Sequence, residues 1–324
     1  MPEAEKHIVT IGGGTGTFVV LSGLKNVPGV SLSAIVTTAD DGGSTGHLRD
    51  AYGFLPVGDA RQALVALAEE DTMLRELFAY RFEKGNVKGH TLGNLFLTAL
   101  SDILGSESAA IAEASRILRV RGRVIPSTET PTVLVADLED GTCVTGENAI
   151  GERPDGAGIR SVKLEKPTPI STPAREAINA ADVIILGPGN LYASTVAALL
   201  PQGMQEAIGA SKARTLYVVN LFTKRGQTTG FSASDHVREV AKYAGRAPDE
   251  VIVHDGTFSE DVTSWYAKEG EAPVRDDLPQ ETNVHRAKIA AAHILKPIPG
   301  DPLRRSLMRH DPELLREAIL PLIS

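Results

Sequence analysis

Apolar residues along this chain fall into short, nearly unbroken runs, separated by longer stretches in which they recur every three or four positions. The runs at 7–11, 30–36, 183–186, 216–219 and 251–253 have the length and β-branched content of strands buried on both faces. Between them, 18–24, 58–69, 74–80, 91–104, 108–118 and 191–200 read as helices. In 58–69 the apolar Ala63, Leu64, Leu67 and Ala68 lie at helical spacing. Alternation of strand and helix predicts a Rossmann-like three-layer α/β/α fold with a mainly parallel sheet. The texture changes between about 122 and 170, where Val124-Ile125-Pro126, 132–136 and 143–145 read as short strands with charged turns, followed by the glycine-rich stretch 151–158. A small β-rich insertion into one domain spanning 1–324 is the expectation; an extended edge of the same sheet is the alternative.

Length supports that organisation, because 324 residues sit near the size at which a single core stops growing. Acidic side chains outnumber basic ones, 41 to 33, for a net charge of −8, which argues against a nucleic-acid partner. No stretch approaches the roughly 18 apolar residues of a spanning helix, and the N-terminus lacks the apolar core of a signal peptide. The expectation is a cytoplasmic protein with no membrane insertion. The lone Cys143 excludes an internal disulfide framework and reads as a structural strand residue.

Chemistry concentrates where strands end. The run 7–11 leads into Gly12-Gly13-Gly14-Thr15-Gly16-Thr17 and then a helix, which is the arrangement that lets a backbone approach a phosphate. Thr17 replaces the third glycine of the dinucleotide fingerprint, and there is no Walker lysine. A tight strand-to-helix turn is the plainer reading. The run 30–36 leads into Thr37-Thr38-Ala39-Asp40-Asp41-Gly42-Gly43-Ser44-Thr45-Gly46, which places Asp40 and Asp41 where a metal ion, a ribose or a phosphate would sit, unless they are solvated acids of a turn. The same logic recurs at Gly187-Pro188-Gly189-Asn190-Leu191-Tyr192 and at Asn220, Thr223 and Lys224. Arg61, in the first turn of a helix opened by Gly58-Asp59, is poorly placed for the helix dipole and suits an anion, or else pairs with Asp59. His90 is a ligand contact or a packing residue ahead of its helix, with Asn94 nearby.

Those motifs, with Gly89-His90, Leu92-Gly93-Asn94-Leu95, Asn220-Leu221, Ala233-Ser234-Asp235-His236-Val237 and Arg309-His310-Asp311, together resemble the YvcK-like gluconeogenesis factors over nearly the whole chain. These are relatives of 2-phospho-L-lactate transferase, CofD, with a Rossmann-like core. The resemblance implies a UDP-sugar ligand, UDP-N-acetylglucosamine or UDP-glucose, and a regulatory role in cell morphogenesis and wall synthesis during gluconeogenic growth. It also implies a homodimer, and protein partners in wall synthesis or carbon metabolism. Carried over by position, Gly13, Gly14, Thr15 and Gly16 approach the phosphates and Arg309 supplies a cation. Asp40, Gly43, Ser44, Asp59, Arg61, His90, Asn94, Gly187, Gly189, Asn190, Tyr192, Asn220 and Lys224 complete the candidate ligand site. His47, Gln62-Ala63 and Asn190 depart from the family pattern, and the missing arginine at His47 removes one permanent charge.

Three readings follow. The first is a non-catalytic nucleotide-sugar sensor. The second is a phosphotransferase in which Asp40 and Asp41 hold Mg²⁺ against a diphosphate while an acceptor hydroxyl attacks, and Asp40 and Asp41 are its candidate catalytic residues. The third is a nicotinamide-dependent oxidoreductase, the weakest because the fingerprint is broken. Aromatic residues make up only 5% of the chain, with Trp265 its one tryptophan, which weakens a deazaflavin substrate without excluding group transfer.

Overall fold

The computed structural model describes residues 5–39, 57–69, 73–153, 156–291 and 308–323. In chain order its strands are β1 (Lys6–Gly12), β2 (Val30–Val36), β3 (Arg123–Pro126), β4 (Leu134–Leu138), β5 (Cys143–Thr145), β6 (Ile159–Leu164), β7 (Val183–Leu186), β8 (Arg214–Val218), β9 (Glu250–His254) and β10 (Val284–Ala287). Seven of them form one parallel sheet in the order β10-β9-β8-β7-β1-β2-β3. From β1 the chain builds outward through β2 to β3, then crosses to the other side of β1 and builds outward again from β7. The direction of winding therefore reverses between β1 and β7, which is where doubly wound sheets bind ligands.

The two faces of this sheet are buried by alternate residues of the same strands. Ile8 and Ile185 join a core with Leu21, Leu24, Leu64 and Ile319, whereas Val9, Ile11, Ile184 and Leu186 join another with Ile178, Val196 and Ile208. This period-two partition is why β7, Val-Ile-Ile-Leu, is buried at every position rather than every second one. On the first face the helix Gly14–Leu24 packs between the helices Gly58–Leu67 and Pro312–Ile323. Gly23 makes the last of these contacts close, since a Cβ there would lie 2.4 Å from the Pro312 carbonyl oxygen.

The strands β5-β4-β6 form a separate antiparallel sheet within 134–164. β3, which opens the stretch read as β-rich, is the parallel neighbour of β2 in the large sheet. Cys143 is exposed on β5, its thiol donating to Asp137. No helix among the described residues is long and apolar enough to cross a membrane.

Candidate functional site

β1 runs through Gly12 directly into the helix Gly14–Leu24, and the turn is built around a carboxylate. Asp59, buried in the first turn of the helix Gly58–Leu67, accepts a hydrogen bond from the Gly14 amide at 2.8 Å. Its other oxygen sits where only a glycine leaves room, because a Cβ on Gly13 would come within 2.0 Å of it. Gly14 itself has φ of +62°, the left-handed region in which glycine carries no penalty. One turn on, a Cβ at Gly16 would lie 1.9 Å from the Pro188 carbonyl oxygen. The turns after β1 and β7 thus pack backbone against backbone across the reversal point. Asn220, just past β8, extends the row: its amide donates to the Gly189 carbonyl at 2.7 Å.

Around these turns lies a cleft of about 990 Å³. Gly13, Gly14, Thr15, Gly16, Asp59, Arg61, His90, Asn94, Gly189, Asn190, Asn220, Lys224 and Arg309 all line it. Arg61 is held from the side, its Nε donating to the Asn94 side chain at 2.9 Å, while Thr91 caps the Asn94 amide at the start of the helix Leu92–Leu104. Lys224 pairs with the buried Glu271 at 2.7 Å. Arg309 is fixed through its main chain, where its carbonyl accepts from Ala291 at 2.8 Å.

Two expected residues lie elsewhere. Tyr192 is 1% exposed and belongs to the core, where burial and then the neighbouring Glu239 push its phenol pKa up. It follows the β7 turn in sequence, but it sits at the start of a helix whose first six residues, Leu191–Val196, are wound with π spacing. Gly187 is not among the residues that line the cleft; a Cβ there would lie 3.5 Å from the Thr195 hydroxyl, the Tyr217 ring and the Val218 carbonyl. Asp40, Asp41, Gly43 and Ser44, and with the first two the expected Mg²⁺ site, lie outside the described residues. Among the described residues no group of three or more carboxylate, histidine or cysteine side chains could hold a metal.

The cleft also takes residues that the sequence reading passed over. Arg81 and Lys88 come from the loop between the helices Met73–Ala79 and Leu92–Leu104, and nothing in sequence separates them from solvated loop charges. Glu147, Asn148 and Arg153 come from the small-sheet side, where Arg153 donates to the carbonyls of Ala157 and Gly226. Seven cationic side chains against five acidic ones line the cleft among the described residues, in a chain whose overall charge is −8. The local excess favours an anion, and the amides of two strand-end turns are the groups that bind phosphate.

Fold and cleft together define a doubly wound α/β protein with a cation-rich cleft at the point where its winding reverses. A family model described as 2-phospho-L-lactate transferase CofD matches residues 8–295. A gluconeogenesis factor from Halalkalibacterium halodurans is 42% identical over 322 residues, covering 98% of this chain and 96% of that protein. One from Listeria innocua is 42% identical over 272 residues, covering 80% and 83%. A crystal structure of an upf0052 family member from Bacillus halodurans superposes with a TM-score of 0.88 at 40% identity, covering 97% of this chain and 99% of that one. The chain belongs to the CofD family, in company with the gluconeogenesis factors that its motifs resemble.

Proposed function

We propose that this chain is a cytoplasmic regulatory protein that binds a nucleotide sugar, UDP-N-acetylglucosamine or UDP-glucose, and acts in cell morphogenesis and wall synthesis during gluconeogenic growth. The observation that carries the reading is the pair of glycine turns, Gly13–Gly16 and Pro188–Asn190, packed under a cleft with a local excess of cations. A diphosphate laid on those turns meets the first-turn amides after Gly14, whose own N–H is held by Asp59, and Arg309 at its side. The name carried by the relatives supports the physiological setting.

The match to a transferase favours a second reading, in which the same cleft runs Mg²⁺-dependent transfer of a phosphorus-containing group with Asp40 and Asp41 on the metal. Phosphorus NMR of UDP-N-acetylglucosamine incubated with the protein and Mg²⁺ separates the two. Broadened but unchanged resonances are the result expected of a sensor, and growing UDP, UMP or phosphate signals are the result expected of an enzyme. Arg309→Ala is expected to weaken binding of the same ligand about tenfold to a hundredfold, the worth of a charged hydrogen bond. Because Arg309 holds its place through the main chain, the fold should tolerate the change; unaltered affinity in calorimetry would remove Arg309 from the site. Asp41→Asn is expected to weaken binding with Mg²⁺ more than without it, and equal losses would speak against a metal there.

A further inference from the structure

Residues 308–311 reach the cleft as a strap tied down largely by its main chain. The Met308 amide donates to the Tyr266 hydroxyl at 2.9 Å, and the Arg309 carbonyl accepts from the Ala291 amide at 2.8 Å. The Asp311 amide donates to the Ile289 carbonyl at 2.8 Å, which lays His310 antiparallel to Ala290. Met308, Arg309 and His310 all line the cleft, so they arrive in it as one unit.

The helix that follows holds the strap in place. Asp311 caps it, accepting from the Glu313 and Leu314 amides at 2.9 and 3.1 Å. Its buried residues, Leu315, Ile319 and Ile323, recur at every fourth position and make one narrow apolar stripe. The helix packs on Gly14–Leu24, the helix whose first turn is the glycine turn of the cleft. At its other end Lys6 and Arg214, the first residues of β1 and β8, donate to the carbonyls of Ile323 and Leu322, where cations suit the helix dipole. Its 12 residues span about 18 Å, so the placement of Arg309 is secured from the edge of the sheet opposite the cleft. No residue of this helix lines the cleft, and its release would leave every strand pairing of the large sheet intact.

We infer that the helix Pro312–Ile323 is a docking switch for the cleft. Docked, it holds Arg309 in place; released, it withdraws Met308, Arg309 and His310, and the cleft loses its grip on a diphosphate. The inference rests on the nucleotide reading above and adds its control. The coupling runs through the strap, and it is reciprocal: a bound nucleotide holds the helix down by the same factor that the helix adds to nucleotide affinity.

The test reads both directions with UDP-N-acetylglucosamine as the probe. In the parent protein, hydrogen exchange of the amides in 313–323 should slow about tenfold or more when the nucleotide stands at about a hundredfold over its dissociation constant, because release must then shed it. The helix Met204–Ala210, on the other face of the sheet, should slow less. Ile319→Asp sets a carboxylate in the docked stripe and should weaken the nucleotide about tenfold in calorimetry, equivalent to about one molecule in ten still docked. Ile319→Leu should keep the parent affinity. Because the effect passes through the strap, Ile319→Asp joined to Arg309→Ala should bind little more weakly than Arg309→Ala alone. Nucleotide bound with exchange in 313–323 unchanged, or slowed no more than in Met204–Ala210, would overturn the switch and leave the nucleotide reading standing. Additive losses in the double variant would do the same, as would parental affinity in an Ile319→Asp protein whose helix exchanges freely. The exchange measurement uses the parent and therefore decides even where Ile319→Asp does not fold. No binding of the nucleotide by the parent would overturn both readings.

Discussion

Gly16→Ala should lower the stability of the fold by about 3 kcal/mol, the upper range of steric overpacking, and with it abolish the nucleotide binding proposed above. Helix propensity taken alone points the other way, since alanine inside a helix is favoured over glycine by about 1 kcal/mol. The contact decides between them. The new methyl carbon meets the Pro188 carbonyl oxygen at 1.9 Å, with the Pro188 carbonyl carbon at 2.3 Å and the Gly189 nitrogen at 2.9 Å. All three atoms are backbone, so no rotamer change relieves the overlap, and one of the two turns must move. At Gly13 the struck atoms belong instead to the Asp59 side chain, which can swing at the expense of its bond to Gly14. Gly209→Ala provides the control: it lies in the helix Met204–Ala210 with nothing within 4 Å of a new Cβ, and should be neutral or stabilising by up to about 1 kcal/mol. Urea unfolding of the three proteins tests the pair. A Gly16→Ala protein as stable as Gly209→Ala would mean that the β1 and β7 turns do not pack as described.

That contact shows where sequence reading stops. β1, β2, β7, β8 and β9 were legible because strands buried on both faces write themselves as apolar runs, and the glycine turns were legible because they follow such runs directly. β6 and β10 were not, because Ile159–Leu164 carries Arg160 and Lys163, and Val284–Ala287 is half-buried throughout, so neither has a run to show. The place of β3 beside β2 depends on a pairing across nearly ninety residues that no local pattern encodes. The helix Pro312–Ile323 has its buried Leu315, Ile319 and Ile323 at readable spacing, but its partner is chosen by the missing side chain of Gly23. Tyr192 misled because adjacency to a glycine turn says nothing about which way a helix turns its first residues. An aromatic cluster at the far end of the cleft was missed for the opposite reason: 5% aromatic content is a chain average, and the fold gathers Phe222, Phe258, Trp265 and Tyr266 after the strands β8 and β9.

Acidification should loosen the C-terminal side of this site in a window set by histidine. His310 follows Arg309, is 8% exposed, and places Nε2 3.2 Å from the Val219 carbonyl oxygen. A carbonyl only accepts, so Nε2 carries a proton. Burial lowers its pKa from the ordinary 6.5 to about 4; the Val219 carbonyl opposes this and the nearby His254 adds to it. His236 and His254 are lowered in the same direction, chiefly by burial. In the unfolded chain these rings take up a proton near pH 6.5, but in the folded protein they do not until the pH is lower. The unfolded state therefore binds more protons in between, and the stability that is complete above pH 6.5 drains away as pH falls toward 4. For His310 alone the full loss is about 3 kcal/mol, of which about 2 kcal/mol is gone by pH 5. The shifted carboxylates, Asp137, Asp235 and Asp249 among them, have pKa values below the ordinary 3.8 and act only in stronger acid, so the histidine window stands apart. His310→Gln keeps an amide donor for Val219 and removes the titration. Its unfolding free energy should change less between pH 7.5 and pH 5 than the parent's, and the proposed nucleotide binding should persist further into acid, because Arg309 is anchored by the same segment. Parallel losses in the two proteins would assign the acid sensitivity to another group.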